Sequence, residues 1–428
     1  MLRPDGEEML KAFTATAYPQ AVTEIVPGMI FHVMGYGHSN ASFIIANESV
    51  ILVDALDTDA RGAKLASIIA EKTDKPVKTI IYTHGHPDHR GGAGAFAGSH
   101  PEVIAFAPVR PLLARTEQLA EIQDRRGIRQ FGYELSDEEA ISQGIGIREG
   151  FTVNEGTRRP LSPTTVYTES EIRRKIDGVS LNLVAAPGET EDQIFVWNDE
   201  HKVLFCGDNY YGCWPNLYAI RGGQYRDIAA WIASLDRTRA YPAEALLPGH
   251  THPIIGREAV AEVLANFRNA LDFVLAETLA CMNRGMGIEA TVAQVRLPEH
   301  YARLPYLQEF YGTVAWSVRS IYTGYFGWFD GNPTNLNPLP PLERATKTIA
   351  LMGGPEAVAR AMSSALDTGD TQWALELADL LLLLDPNDTT IRRAKAGGLI
   401  ELARQETSAN GRHYSIACAK ELLAETEE

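Results

Sequence analysis

The segment Thr83-His84-Gly85-His86-Pro87-Asp88-His89 constrains this chain more than any other. It sets three imidazoles and a carboxylate within six residues, directly after the apolar run 79–82 and before Arg90-Gly91-Gly92. Such a run reads as a buried strand, and a polar loop at its end projects several side chains to one place. Imidazole and carboxylate are ligands for zinc and its neighbours in the first transition series. His84 and His86 alternate, so in extended backbone they point the same way and can grip one ion. Pro87 forces a turn, after which Asp88 and His89 can face a second ion close by. The spacing predicts a metal site, and a two-metal one.

Residues 22–54, ahead of this loop, read as three short strands in an antiparallel meander, with Gly35-Tyr36-Gly37-His38-Ser39-Asn40 as a connector. Asp54 ends the third strand and has two readings: an acceptor that orients the metal loop, or simply the first residue of the turn. Residues 58–73 carry helical spacing, with Leu65, Ile68 and Ile69 on one face, so a strand–helix–strand passage leads into the metal loop. Residues 110–165 are polar and glycine-bearing, with a helix expected around 112–125. An irregular stretch of this length is more often functional than idle, and it is expected to cover the site.

Three further strand ends each offer a metal-binding side chain. Glu189 sits in the turn Pro187-Gly188-Glu189-Thr190, Asp208 follows the apolar run ending Cys206-Gly207, and His250 follows Leu246-Leu247-Pro248-Gly249. Singly, each reads as a solvated turn residue; as an ordered series of strand ends they read as one site.

This series resembles a known family. H-x-H-x-D-H, then Pro-Gly, then Gly-Asp, then Gly-His is similar to the metallo-β-lactamase fold, an αββα sandwich with two metals at the edge of its sheets. The resemblance implies that His84, His86 and Glu189 hold one ion, that Asp88, His89 and His250 hold the other, and that Asp208 bridges them. Most members have His after Pro-Gly; glutamate there marks the alkylsulfatase branch. Asn216-Leu217-Tyr218-Ala219-Ile220-Arg221-Gly222-Gly223 with Arg226-Asp227 resembles that branch's signature. Tyr311-Gly312-Thr313-Val314, Gly327-Trp328-Phe329-Asp330-Gly331-Asn332-Pro333 and Leu339-Pro340-Pro341 resemble the start of its dimerisation domain. The chain departs from the branch in having Asp208 where a second glutamate is usual. It also has Trp316-Ser317 where the branch carries a His-Asn pair that helps bind sulfate, and it ends before a sterol-carrier-like domain. These departures point away from a long-chain detergent and towards a smaller, branched or less charged sulfate ester.

The expected organisation is α/β: a metallo-β-lactamase-like catalytic domain over 1–265, then an all-α dimerisation domain over 266–428. From about residue 255 the pattern turns helical, with Val263, Phe267, Leu271, Val274 and Leu275 on one face of a helix expected over 259–284. Residues 356–428 read as paired helices. The aromatic-rich stretch 300–332 reads mainly as core or subunit contact, with Tyr311, Trp316 and Tyr322 as candidates for lining a substrate pocket.

The expected function is metal-dependent hydrolysis of an alkyl sulfate ester, with two divalent ions, zinc foremost, supplying a hydroxide. Phosphodiesterase, lactonase and thioesterase chemistry are the alternatives the fold also hosts, and a non-catalytic scaffold is the remote one. Two divalent ions carry four positive charges and Asp88, Glu189 and Asp208 return three, so a hydroxide leaves the core near neutral. A separate cation is then needed for the sulfate group. Arg221 is the candidate, since its planar fork matches two oxygens of an anion. Asp88 is a candidate proton acceptor. A formal net charge of −16 over 428 residues argues against nucleic acid or anionic membranes as partners. The expected partners are a small sulfate ester and a second copy of the chain. Cys206, Cys213, Cys281 and Cys418 show no C-x-x-C spacing, no apolar leader opens the sequence, and no apolar run spans a bilayer. A cytoplasmic protein is the expectation.

Overall fold

The structure, a computed structural model, describes residues 2–424 and Thr426. Thirteen strands form two sheets among these residues. The first sheet holds β1 (Ala21–Val26), β2 (Ile30–Met34), β3 (Ala41–Ile45), β4 (Val50–Val53), β5 (Val77–Ile81), β6 (Glu102–Phe106) and β7 (Thr165–Tyr167), in that order. β1 to β4 form an antiparallel meander of four strands, one more than the three expected, with β1 the addition. β4 to β7 are parallel, so the chain must cross over between them. The Asp59–Ala70 helix makes the first crossover; Thr58 caps it by accepting from the Arg61 amide. The second sheet holds β8 (Glu171–Ile176), β9 (Val179–Ala185), β10 (Ile194–Asn198), β11 (Val203–Gly207), β12 (Ala245–Pro248) and β13 (Ile254–Ile255). Its spatial order is β13-β12-β11-β10-β9-β8.

Alternation along the strands explains the layering. In β4, Ile51 and Val53 pack between the sheets, while Val50 and Leu52 pack outward with Leu65 and Ile69 of the crossover helix. In β10, Ile194 and Val196 face the inter-sheet core, and Phe195 and Trp197 face outward to the Ile228–Arg239 and Arg257–Asn283 helices. Both faces of these strands are buried, which is why their sequences read as unbroken apolar runs. The result is helix, sheet, sheet, helix, the αββα architecture the motif series implies.

The chain divides into two compact units. The mixed unit comprises Ala12–Leu119 and Ser142–Tyr325, and it carries both sheets. The helical unit comprises residues 2–11, Ala120–Ile141 and the chain from Phe326 onward. This differs from the expected division at 265/266. That point falls inside the Arg257–Asn283 helix, whose buried face from Val260 to Cys281 belongs to one continuous core with Trp231 and Leu246. The helix is amphipathic along its whole length, so its sequence shows no sign of a boundary.

The insertion is also divided. Residues 120–131 are helical, and Leu135 and Ala140 pack with Ala403 and Ile416 in the helical unit, where Arg129 pairs with Glu421. The two ends of the insertion, up to Leu119 and from Ser142 onward, belong to the mixed unit. The helical unit is otherwise built from Pro341–Leu351, Pro355–Asp367, Thr371–Leu384, Thr389–Gln405 and Ala409–Ala424 around Ile349, Val358, Leu377 and Ile391. No helix among the described residues is long and apolar enough to cross a membrane.

Candidate metal centre

The seven side chains predicted as ligands all leave the carboxyl-terminal ends of strands, on the mixed unit. His84 and His86 lie in the loop after β5, and Pro87 starts the single helical turn Pro87–Arg90 that carries Asp88 and His89. Glu189 lies between β9 and β10, Asp208 follows β11, and His250 follows β12. Gly249 lets the β12 end approach: a Cβ there would sit 2.1 Å from Asp208 Oδ1 and 2.7 Å from His89 Cε1.

Three overlapping groups result among the described residues, two of them through Asp208. His84, His86, Glu189 and Asp208 form one group in which each offers a ligand atom within 4.8 Å of the others, and His89, Asp208 and His250 form another. Asp208 is common to both. Its Oδ1 lies 3.3 Å from His89 Nε2, and its Oδ2 lies 3.2 Å from His250 Nε2 and 3.8 Å from His84 Nε2. Asp88 Oδ2 lies 3.4 Å from His89 Nε2 and 3.5 Å from His250 Nε2.

Hydrogen bonds on the far side of each ring fix the tautomers. His89 Nδ1 donates to Asp54 Oδ2 at 2.8 Å, and His250 Nδ1 donates to the His38 carbonyl at 2.9 Å. The Thr83 hydroxyl donates to Asp54 Oδ2, which leaves its lone pair to accept from His84 Nδ1 at 3.1 Å. With Nδ1 protonated in each ring, Nε2 is the lone-pair nitrogen. The Nε2 atoms of His84, His89 and His250, with Asp208 Oδ1 and Glu189 Oε2, are buried and have no hydrogen-bond partner. Five orphaned acceptors gathered in one place are costly unless a cation satisfies them. The nitrogen and oxygen donor set suits a borderline divalent metal.

The electrostatics show the same tension. Burial pulls the His89 imidazole down, but the carboxylates of Asp208, Asp88 and Asp54 outweigh it and hold the group well above its ordinary value. Burial and neighbouring His89 hold His84 well below. Burial pushes the Glu189 carboxyl up to about 8, against the pull of Arg226 and with the help of Asp208.

Asp54 thus accepts from the Thr83 amide, the Thr83 hydroxyl and His89, and of its two readings the orienting one holds. It does so at φ 57, a left-handed conformation that Asp tolerates better than most residues. The connector 35–40, read from sequence only as a loop, is a second support. Ser39 Oγ donates to the Asp88 carbonyl at 2.7 Å, and Asn40 Nδ2 donates to the carbonyls of Pro248 and Thr251 on either side of His250. His38 itself is buried and forms a group with Asp88 and His250. Nothing in the spacing pointed to these contacts, since the Asn40 partners lie more than 200 residues away. Two glycines flanking a short polar loop between buried strands were the only signal.

The substrate candidates are placed unevenly. Arg221 lines a cleft of about 160 Å³ with Glu189, Thr190, Tyr218, Gln224 and Leu112. Tyr311 is buried edge-on to Tyr211, where its phenol feels the charges of Glu189, Asp88, Arg226 and Arg221. Trp316 is half-buried on the first turn of the Val314–Phe326 helix, and Ser317 accepts from Trp214 Nε1 at 3.0 Å. Tyr322 turns away, its hydroxyl donating to the Met286 carbonyl at 3.1 Å. None of Tyr311, Trp316 and Tyr322 lines the Arg221 cleft.

Two facing sheets between helices, with histidines and carboxylates gathered at their strand ends, define a metallo-hydrolase of the metallo-beta-lactamase fold. The sequence model of the metallo-beta-lactamase superfamily matches residues 34–250, and that of alkyl sulfatase dimerisation matches residues 288–425. The chain is 36% identical to a linear primary-alkylsulfatase of a Pseudomonas species over 90% of its own length and 74% of that protein. It is 30% identical to an alkyl/aryl-sulfatase of Saccharomyces cerevisiae over 92% of its length and 62% of the relative. Among solved structures, the stereoselective inverting sec-alkylsulfatase Pisa1 of a Pseudomonas species superposes with a TM-score of 0.83 at 26% identity, covering 94% of this chain and 66% of that one. The chain belongs to the alkylsulfatase family of the metallo-beta-lactamase superfamily, whose fold implies divalent metal ions.

Proposed function

We propose that this chain hydrolyses alkyl sulfate esters at a centre of two divalent cations, zinc foremost. His84, His86 and Glu189 hold one ion, Asp88, His89 and His250 hold the other, and Asp208 lies between them. The observation that carries the reading is the set of buried, partnerless ligand atoms converging on Asp208. The alkylsulfatases to which the chain is similar, at 36% and 30% identity, supply the substrate class. When bound, such ions act as Lewis acids and lower the pKa of the attacking water.

The remaining work falls to the chain. Arg221, on the cleft wall beside Glu189, offers the planar cation that a sulfate group needs. Tyr311 is buried within the field of Glu189, Asp88, Arg226 and Arg221. Asp88 is the most open carboxylate of the set, its side chain 14% exposed against 3% for Asp208 and Glu189, so it is the group placed to pass a proton to solvent. The narrow cleft favours a short or branched alkyl group over a long detergent chain.

The test is a panel of sulfate esters, short and long, set beside phosphate esters and a lactone, with sulfate release as the readout. Sulfate esters are expected to be the hydrolysed class. Arg221→Ala should raise KM for them about 10- to 100-fold, the worth of one charge-assisted contact, with metal content unchanged. A variant that keeps both its metal and the parent KM would remove Arg221 from the substrate. Turnover in oxygen-18 water then assigns the broken bond by whether the alcohol or the sulfate carries the label.

A further inference from the structure

Within the His84, His86, Glu189 and Asp208 group, Glu189 is paired with an arginine, whereas Asp208 faces the imidazoles of His89 and His250. Arg226 Nη1 donates to Glu189 Oε1 at 2.6 Å, with both side chains buried, 11% and 3% exposed. The same nitrogen donates to the Asn216 carbonyl. Glu189 Oε2 is left as the buried oxygen with no hydrogen-bond partner.

An outer pair sets this register. Arg110 forks onto Glu191, at 2.7 Å and 3.0 Å, and also reaches Asp227. The segments Glu189-Thr190-Glu191 and Arg226-Asp227 are therefore joined twice, once inside and once at the surface. Asp227 Oδ1 meanwhile caps the Ile228–Arg239 helix by accepting from the Ala230 amide, so Arg226 sits at a fixed point just before a helix start. Arg110 is 43% exposed, and its pairs contribute little energy; their effect is positional. The buried pair differs, because two carboxylates, Glu189 and Asp208, share one water-poor cluster and repel each other strongly there.

Resting on the metal-centre reading above, we propose that Arg226 is a positioning residue of that centre. Its guanidinium fixes Glu189 through Oε1, cancels the charge of that carboxylate and presents Oε2 alone to one divalent cation. The Glu189–Arg226 pair then acts as a neutral oxygen donor beside the neutral imidazoles of His84 and His86. An ion bound there keeps the Lewis acidity that an uncompensated glutamate would take from it. Arg221 and Arg226 divide the work, with the cleft-wall guanidinium for the substrate and the buried one for the ligand.

The experiment uses the full chain dialysed against buffered zinc at stepped free concentrations, with zinc per chain measured by plasma mass spectrometry. Cobalt(II) absorption bands report ligand geometry in parallel. The parent is expected to hold two ions. Arg226→Met should weaken one of them about 10- to 100-fold, the usual effect of removing a partner that orients a ligand, and leave the other unchanged. Arg226→Lys should retain most of the affinity. Adding Glu189→His to Arg226→Met removes both charges and supplies a neutral nitrogen, and it should restore two-ion binding with an altered cobalt spectrum. The proposal is overturned if Arg226→Met holds both ions as tightly as the parent, or if the double variant binds no better than the single one. Should Arg226→Met not fold, the double variant decides alone: two ions support the proposal and one overturns it. A parent that binds no zinc overturns the metal-centre reading itself, a separate outcome.

Discussion

Asp54 shows how much of this centre is decided by single atoms. Its Oδ2 accepts from His89 Nδ1 and from the Thr83 hydroxyl, and its Oδ1 accepts from the Thr83 amide. Replacing Asp54 by Asn keeps the size and one acceptor but puts an amide where a ring N–H must donate. The His89 proton is then driven to Nε2, the atom that should face the cation. Asp54→Asn is expected to weaken zinc binding about 10- to 100-fold, and nitrogen-15 shifts of His89 in the metal-free protein, read at a pH where the ring is neutral, should report the Nε2 tautomer. Unchanged affinity with the Nδ1 tautomer retained would deny Asp54 that role. The clustering of these histidines and carboxylates was legible in the sequence, because each follows an apolar run and inherits its position from a strand end. The residues that aim them were less so. Thr83 and Asp54 could be suspected from proximity, whereas Asn40, His38 and Arg226 act across loops whose approach no local spacing encodes.

At the level of elements, the sheets were readable where both faces are buried, even where a strand carries a polar side chain inward. His32 in β2 is such a case. It is buried opposite Ser42 of β3, with Nδ1 2.8 Å from the Ser42 hydroxyl. Burial pulls its imidazole down to about 3, below the 6.5 of an exposed ring. The folded ring therefore stays neutral while the unfolded ring takes up a proton, so the fold keeps its full stability above pH 6.5 and loses it as the pH falls from there towards 3. For metal-free protein, the free energy of urea unfolding should drop by about 2 kcal/mol more between pH 6.5 and 5 in the parent than in His32→Asn. Equal acid sensitivity in the two would mean that the ring is solvated. The long Arg257–Asn283 helix teaches a different lesson. Its period of 3.6 predicted its existence and buried face well, yet periodicity says nothing about which core that face joins.

For the molecule as a whole, the helical unit is assembled from three stretches of chain, 2–11, Ala120–Ile141 and everything from Phe326. Sequence order hides such an assembly, since each stretch alone looks like a terminal helix, an insertion or a separate domain. The outer surface of the unit keeps Trp328, Leu351 and Trp373 exposed, at 74%, 90% and 44%. All three lie within residues 288–425, the stretch that the alkyl sulfatase dimerisation model matches. We propose a homodimer joined there, and sedimentation should return twice the 47.0 kDa chain mass, falling towards a single chain in Trp328→Asp/Leu351→Asp. A parent that sediments as a single chain at all concentrations would refute it. The central claim is the binuclear centre, and anomalous diffraction from crystals grown with zinc tests it most directly. Two peaks per chain are predicted, one against His84, His86 and Glu189 and one against Asp88, His89 and His250, with Asp208 reaching both; a single peak, or Glu189 and Asp208 turned to solvent with no peak beside them, would contradict the account.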